Sequence, residues 1–147
     1  MENMISKAVS DDLEGIYKVE TTCFDHDILS RRSIKYMLNH KHNFILVAKK
    51  NSVICGYILT FCNPNHQLAR HYSLAVLPEY RGESIARKLL LCAEQQIIGK
   101  KGIKLEIRED NYLAKNLYES MGYVQKRKKE NYYQDGATAI EMVKYYI

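Results

Sequence analysis

Val76-Leu77-Pro78-Glu79-Tyr80-Arg81-Gly82-Glu83-Ser84-Ile85-Ala86-Arg87 decides how the rest of the chain is read. An apolar run stops at Pro78, a tight turn follows, and a helical pattern begins near Glu83. Every residue from Arg81 to Arg87 carries a backbone N–H, and the helix N-terminus adds a partial positive charge. Gly82 and Ala86 are small enough for an anion to approach the main chain, while Arg81 and Arg87 add full charges. The expected cradle is therefore Arg81, Gly82, Glu83, Ser84, Ile85, Ala86 and Arg87, and a pyrophosphate suits it. One glycine and no Gly-Lys-Ser/Thr exclude a Walker loop and a dinucleotide fingerprint. Taken alone, the segment is equally a plain strand–turn–helix junction.

Working outward, strands and helices alternate. Upstream, Ile5 to Val9 reads as a strand, with Asp11 or Asp12 capping a helix that carries Leu13, Ile16, Tyr17 and Val19-Glu20. A second helix is expected from Arg31 to Leu38. Phe44 to Lys49 and Val53 to Phe61 are β-branched apolar runs around the turn Lys50-Asn51-Ser52, a hairpin. Arg70 to Leu77 is the next strand. The helix from Glu83 to about Ile98 shows the stripe Ile85, Leu89, Cys92-Ala93 and ends at Gly99-Lys100-Lys101-Gly102. Downstream, Ile103, Leu105 and Ile107 alternate with charged residues, and Asn111 opens a short helix closed by Gly122. Tyr123 to Lys129 and Thr138 to Tyr146 are the last strands. The implied fold class is α/β in one domain, residues 1–147, with helices around a single sheet.

A chain of 147 residues buries a core without staples, and 46% hydrophobic with 27% charged residues is ordinary for a globular protein. No apolar run approaches the ~20 residues of a membrane span, and Met1 to Met4 show no secretory pattern, so a cytoplasmic protein without membrane partner is expected. Cys23, Cys55, Cys62 and Cys92 have no Cys-x-x-Cys spacing and read as reduced thiols; no metal site is expected from them or from the five histidines. The net charge of +5 lies mostly in doublets and in Lys126 to Lys129, and no nucleic-acid motif accompanies it.

Three blocks resemble one family. Leu74-Ala75-Val76-x-Pro78-x-Tyr80-Arg81-Gly82-x-x-Ile85-Ala86 looks like the acetyl-CoA signature of the GNAT superfamily of N-acetyltransferases. Leu105-Glu106-Ile107-Arg108-x-x-Asn111-x-x-Ala114-x-x-Leu117-Tyr118-Glu119-x-x-Gly122-Tyr123 is similar to its downstream half. Asn131-Tyr132-Tyr133-x-Asp135-Gly136 resembles the subgroup acting on protein N-termini, the ribosomal-protein alanine N-acetyltransferases (RimI). The resemblance implies a mixed, mostly antiparallel sheet of six to seven strands, flanked by about four helices and splayed between its central strands. It also implies acetyl-CoA as co-substrate. Leu74, Ala75 and Val76 are implied to meet the pantetheine arm, Asn111 to touch the cofactor, Glu106 to be the general base and Tyr118 the general acid.

The chemistry asks for such groups. Only a neutral amine attacks a thioester, so a base must take the ammonium proton, and a phenol of pKa ~10 can protonate a leaving thiolate of ~8.5. A strand N–H near Val76 or Leu77 suits the developing oxyanion. Other readings of the same residues stay open. Glu106 shares a strand face with Lys104 and Arg108 and suits an ion pair; Tyr118 suits a core; Asn111 suits a helix cap. Tyr132 and Tyr133 suit either a peptide groove or an edge strand. The chain departs from the family pattern at Ser84, where glycine is usual, at Thr138, and in Phe24 to Ser30, which lacks Pro-Trp.

The expected acceptor is a protein or peptide N-terminal α-amine. The alternatives are a small amine, such as a polyamine, aminoglycoside or amino acid, and a non-catalytic acyl-CoA-binding module. Asp25, Asp27 and Asp135 are the acids that a polycationic acceptor would need. A monomer and a homodimer fit the sequence equally.

Overall fold

Asn43–Lys50 and Val53–Phe61 pair as the antiparallel hairpin that their β-branched runs imply, and their middle residues are buried on both faces. In chain order the strands are β1 (Met4–Lys7), β2 (Asn43–Lys50), β3 (Val53–Phe61), β4 (Leu68–Val76), β5 (Gly102–Arg108), β6 (Val124–Lys129) and β7 (Ala139–Tyr145). The helices are α1 (Leu13–Cys23), α2 (Arg31–Leu38), α3 (Ile85–Gln96) and α4 (Tyr112–Ser120). This computed structural model describes residues 4–146, which form one seven-stranded sheet in the order β1-β2-β3-β4-β5-β7-β6.

Every neighbouring pair is antiparallel except β4 and β5. Those two run parallel and pair only over Leu68–His71 with Gly102–Leu105. Beyond that point β4 stays with β3 as far as Val76, and β5 stays with β7 as far as Arg108. The sheet is therefore forked between its central strands. Tyr72 is an extra residue in β4, because Ser73 opposes Leu59 while His71 opposes Thr60. Such a bulge adds local twist at the level where the strands part.

One face of the sheet carries α3 and α4, whose Leu89, Leu90, Ala93 and Tyr118 pack on Val76, Leu105, Ile107 and Met142. Leu89 and Leu90 are fully buried, each stabilising the fold by roughly 1.5–3 kcal/mol. On the other face, Ile16 and Val19 of α1 and Ile34 of α2 cover Ile45, Val47, Tyr57, Leu59 and Ala75. That second core draws nothing from β5, β6 or β7. Over those strands the same face carries Lys104, Glu106, Lys129 and Glu141 instead.

Some boundaries differ from the pattern reading. The first strand stops at Lys7, because the Val9 N–H turns to Asp12 Oδ2 (2.9 Å) and opens a 3₁₀ turn over Ser10–Asp12. Asp12 thus serves that turn and Lys49 (3.0 Å) rather than the N–H groups of α1. Helix α3 begins at Ile85, since Ser84 is left-handed (φ 61°). All four cysteines are free, and none of the described helices is long and apolar enough to cross a membrane.

Candidate active site

The turn before α3 leaves a row of backbone donors without acceptors. Among the described residues, the N–H groups of Gly82, Glu83, Ser84, Ile85, Ala86 and Arg87 make no intramolecular bond, and the first helical one runs from Lys88 to the Ser84 carbonyl (3.1 Å). Gly82 (φ 87°) and Ser84 (φ 61°) both adopt left-handed backbone, which turns successive N–H groups toward one side. A Cβ at Gly82 would meet nothing within 4 Å, so the turn is open to a ligand. This donor set fits a pyrophosphate at a helix N-terminus.

Two charges expected there lie elsewhere. The Arg81 N–H is taken by the Pro78 carbonyl (3.2 Å). Its guanidinium folds back, Nε donating to the Val76 carbonyl (3.1 Å) and Nη2 lying 3.8 Å from Cys23 Sγ. Arg87 Nη2 reaches Ser120 Oγ at the end of α4 (2.7 Å). Glu83 is neutralised by Lys50 (2.6 Å). The cradle therefore rests on N–H groups more than on side-chain charge.

Beside it, the free edge of β4 faces the fork. The Leu77 N–H is bonded to the Cys55 carbonyl (2.8 Å), so antiparallel alternation directs Ala75 toward β3 and turns Leu74 and Val76 toward the gap. Of the two oxyanion donors expected, Leu77 is thus occupied and Val76 is left. An extended ligand arm entering the fork finds Leu74 and Val76 as strand-like partners.

Glu106 stands on β5 just past the last β4 pair, at the mouth of the fork on the face not covered by helices. Its side chain is only 4% exposed and is ringed by cations: Arg70 Nε at 3.0 Å, Lys129 Nζ at 2.9 Å and Lys104 Nζ at 3.9 Å. Glu141 lies directly opposite on β7, 2% exposed, with Lys129 at 2.9 Å and Arg127 at 3.3 Å. Burial acts to raise the Glu141 pKa, but the pairs with Lys129 and Arg127 outweigh it and hold it below the ordinary value.

Tyr118 projects from α4 on the opposite face. Its ring is buried edge-on against Tyr123 (centroids 5.5 Å apart), and no hydrogen bond among the described residues engages its hydroxyl. Burial, reinforced by Tyr133, pushes its phenol well above the usual range. Asn111 is the cap of α4, its Oδ1 accepting the Ala114 N–H (3.1 Å). The same column of rings contains His71, 6.3 Å from Tyr123, at the last β4–β5 pair. His71 Nδ1 pairs with Thr60 Oγ1 (2.9 Å), while Nε2 is buried without a partner. Burial, then the charge of Lys144, lowers its pKa to about 3, so the ring is neutral.

Two loops meet over the mouth. Tyr132 and Tyr133 lie in the β6–β7 turn, not on an edge strand, with rings edge to face at 5.0 Å. The Tyr132 hydroxyl accepts from Arg70 Nη2 (2.6 Å), and Arg108 lies over the Tyr133 ring (5.0 Å). From the α1–α2 loop, Asp27 Oδ2 accepts the Gln134 N–H (3.3 Å), and His26 lies 3.9 Å from Asp135. Asp135 is also paired with Arg108, which holds its carboxyl below the usual range. Two of the three candidate acids, Asp27 and Asp135, are thus engaged in joining the loops. Sequence reading places Glu20 on the helix but gives it no role; it is buried on α1 and accepts the Leu29 N–H (2.8 Å) and the Tyr57 hydroxyl. That hydroxyl lies 2.8 Å from Ser73 Oγ, so Glu20 ties the α1–α2 loop to the β4 bulge. An acid on the Ile16, Val19 side of α1 was its only sequence signal.

The arrangement places a pyrophosphate-type cradle, a strand-edge slot and a buried phenol on one side of a fork, and on the other a buried, ion-paired carboxylate beneath two tyrosines. That geometry suits transfer between a long phosphorylated donor and an acceptor arriving from the opposite face. A family model described as an acetyltransferase (GNAT) domain matches residues 8–146. An uncharacterised N-acetyltransferase of Methanocaldococcus jannaschii is 31% identical over 144 residues, covering 96% of this chain and 90% of that protein. An acetyltransferase of Pectobacterium atrosepticum is 32% identical over 120 residues, covering 77% of this chain and 82% of that one. The crystal structure of the ribosomal-protein-S18-alanine N-acetyltransferase from Escherichia coli has a TM-score of 0.85 at 26% identity, covering 98% of this chain and 94% of that one.

Proposed function

The chain belongs to the GNAT acetyltransferase family, and from that premise we propose that it transfers acetyl from acetyl-CoA to the α-amine of a protein or peptide N-terminus. The observation that carries the choice of acceptor is the state of the mouth: Glu106, Glu141 and Asp135 are all ion-paired, and tyrosines rim the opening. A polyamine or aminoglycoside needs free carboxylates there. A peptide with one reacting amine needs an open, amphipathic groove instead. The Escherichia coli neighbour, which by its name acts on the alanine of a ribosomal protein, supports the same acceptor class.

Acetyl-CoA supplies an activated thioester, and the residues of this chain arrange it. The N–H groups from Gly82 to Arg87 hold the pyrophosphate, Leu74 and Val76 line the arm, and the Val76 N–H faces the developing oxyanion. Asn111, the cap at the α4 start, is the residue proposed to touch the cofactor arm. Glu106 takes the ammonium proton, directly or through water, while Arg70 and Lys129 hold its carboxylate in place. Tyr118 returns a proton to the leaving sulfur. An α-amine of pKa ~7.7–8.0 is roughly a tenth neutral at pH 7, against under a thousandth for a lysine of ~10.4, so a carboxylate is an adequate base.

A thiol-release screen over N-terminal peptides, polyamines and free amino acids tests this. Release with peptides blocked at every lysine supports it; release with polyamines alone overturns it.

A further inference from the structure

The uncovered face continues past Glu106 into a groove of about 890 Å³ that the reaction does not use. Its floor carries Arg70, Lys104, Lys126 and Arg127, and among the described residues its one carboxylate is Glu141. The wall is made by the loop between β3 and β4, including His66, and by His40 and His42 after α2. Two of the floor cations are already committed: Arg70 to Glu106 (3.0 Å) and Arg127 to Glu141 (3.3 Å). Lys104 lies no nearer than 3.9 Å to Glu106, and the described contact of Lys126 is with the Tyr145 hydroxyl (3.4 Å). The groove thus keeps positive charge to spare, and it joins the acceptor mouth through the Arg70–Glu106 pair.

We infer that this groove binds the acceptor chain beyond its reacting amine and selects acidic residues there. The inference rests on the peptide reading above and adds its sequence preference. Lys104 is two strand residues from Glu106, or about 6.6 Å along β5, so an extended acceptor brings roughly its third residue level with it. Residues further along reach Lys126. A nucleic acid fits less well. Phe61, the one aromatic ring of the groove apart from its histidines, is stacked on Tyr72 (centroids 5.0 Å, 26°), which occupies a face that a base would need.

The test uses two peptides with the same N-terminal residues, one with Asp and Glu at positions three to six and one with Asn and Gln. Each carries a dye at its C-terminus. Binding to the full chain is read by fluorescence anisotropy, and acetylation by thiol release. The expected result is about tenfold tighter binding of the acidic peptide at low salt, shrinking as salt is raised. In Lys104→Glu with Lys126→Glu the preference vanishes or inverts; circular dichroism confirms that this variant is folded, and Lys126→Gln alone gives a smaller loss of preference. Equal binding of the two peptides to the unmodified chain overturns the groove, as does a preference that survives the charge reversal. A single-stranded RNA of similar charge that binds more tightly than the acidic peptide also overturns it. Acid-selective binding without acetyl transfer retains the groove and removes the α-amine reading. Transfer without acid selection does the opposite.

Discussion

Glu106 and Glu141 face each other directly across the β5–β7 ladder, and Lys129 donates to both at 2.9 Å. Like charges opposed on adjacent strands repel, so the lysine is a requirement of the register. Lys129→Met leaves Arg70 and Arg127 as the remaining close partners and is expected to cost roughly 1–3 kcal/mol in urea unfolding, less than a fully buried pair because Lys129 is a quarter exposed. Adding Glu141→Gln to that variant removes the repulsion and restores part of the loss. No restoration would show that the lysine acts by packing alone.

The two carboxylates are expected to separate functionally. Glu106→Gln is expected to lower kcat/KM on a peptide acceptor by about 100-fold or more, with acetyl-CoA affinity unchanged. Glu141→Gln, one strand further from the fork, leaves more than half of the turnover. Equal losses in both variants would assign the effect to the ion-pair cluster rather than to proton transfer.

Tyr118 titrates late, because burial raises its phenol above the ordinary value of 10.0. A group with a raised pKa keeps its proton over the whole range below that value, so no alkaline fall in kcat from Tyr118 is expected up to pH 10. Tyr118→Phe lowers kcat by about 10- to 100-fold while leaving acetyl-CoA affinity within a factor of about two. A wild-type kcat that halves near pH 10 and a Phe variant without that fall would contradict the environment described for this ring.

Ser84 is left-handed where a side chain costs roughly 1–2 kcal/mol. Ser84→Gly removes that strain, at the expense of a more flexible unfolded chain, so stability should change by less than about 1 kcal/mol. The N–H is kept, and CoA affinity is expected to be unaltered. Ser84→Val is the informative opposite, since a β-branched residue tolerates φ 61° poorly, and it should weaken CoA binding measured by calorimetry.

His71 predicts an acid limb. Its folded pKa of about 3 lies below the ordinary imidazole value of 6.5, so the unfolded chain takes up the proton first as pH falls. Stability from this residue is whole above pH 6.5 and is lost by about 1.4 kcal/mol per pH unit below it, until roughly pH 3. In His71→Asn the unfolding free energy should fall less steeply between pH 6 and pH 4.

Local pattern carried most of the element order: α2 spans Arg31–Leu38 as its spacing implies, and Ile103, Leu105 and Ile107 point into one core. What the pattern does not carry is pairing between distant strands. Nothing in Leu68–Val76 or Gly102–Arg108 signals that only four residue pairs join them, so the fork is a property of the assembled sheet. The same holds for His71, which sits among Arg70, Tyr72 and Ser73 like an exposed residue and is only 3% exposed. Glu141 is readable as an acid between Ile140 and Met142, but its opposition to Glu106 depends on register. Arg81 was expected at the phosphates from its position beside Gly82, and its side chain instead satisfies the carbonyl of Val76, five residues earlier. Donor placement along the main chain was legible because it follows from a helix start; side-chain direction was not.

In the proposed reaction the fork joins a CoA cradle on one face to a peptide amine on the other. Mass spectrometry of a lysine-containing peptide incubated with the chain and acetyl-CoA tests it most directly, by locating the acetyl group. The prediction is acetyl on the N-terminal α-amine with the lysine side chain untouched. Acetyl confined to the lysine, or transfer to polyamines with none to the peptide, would contradict it.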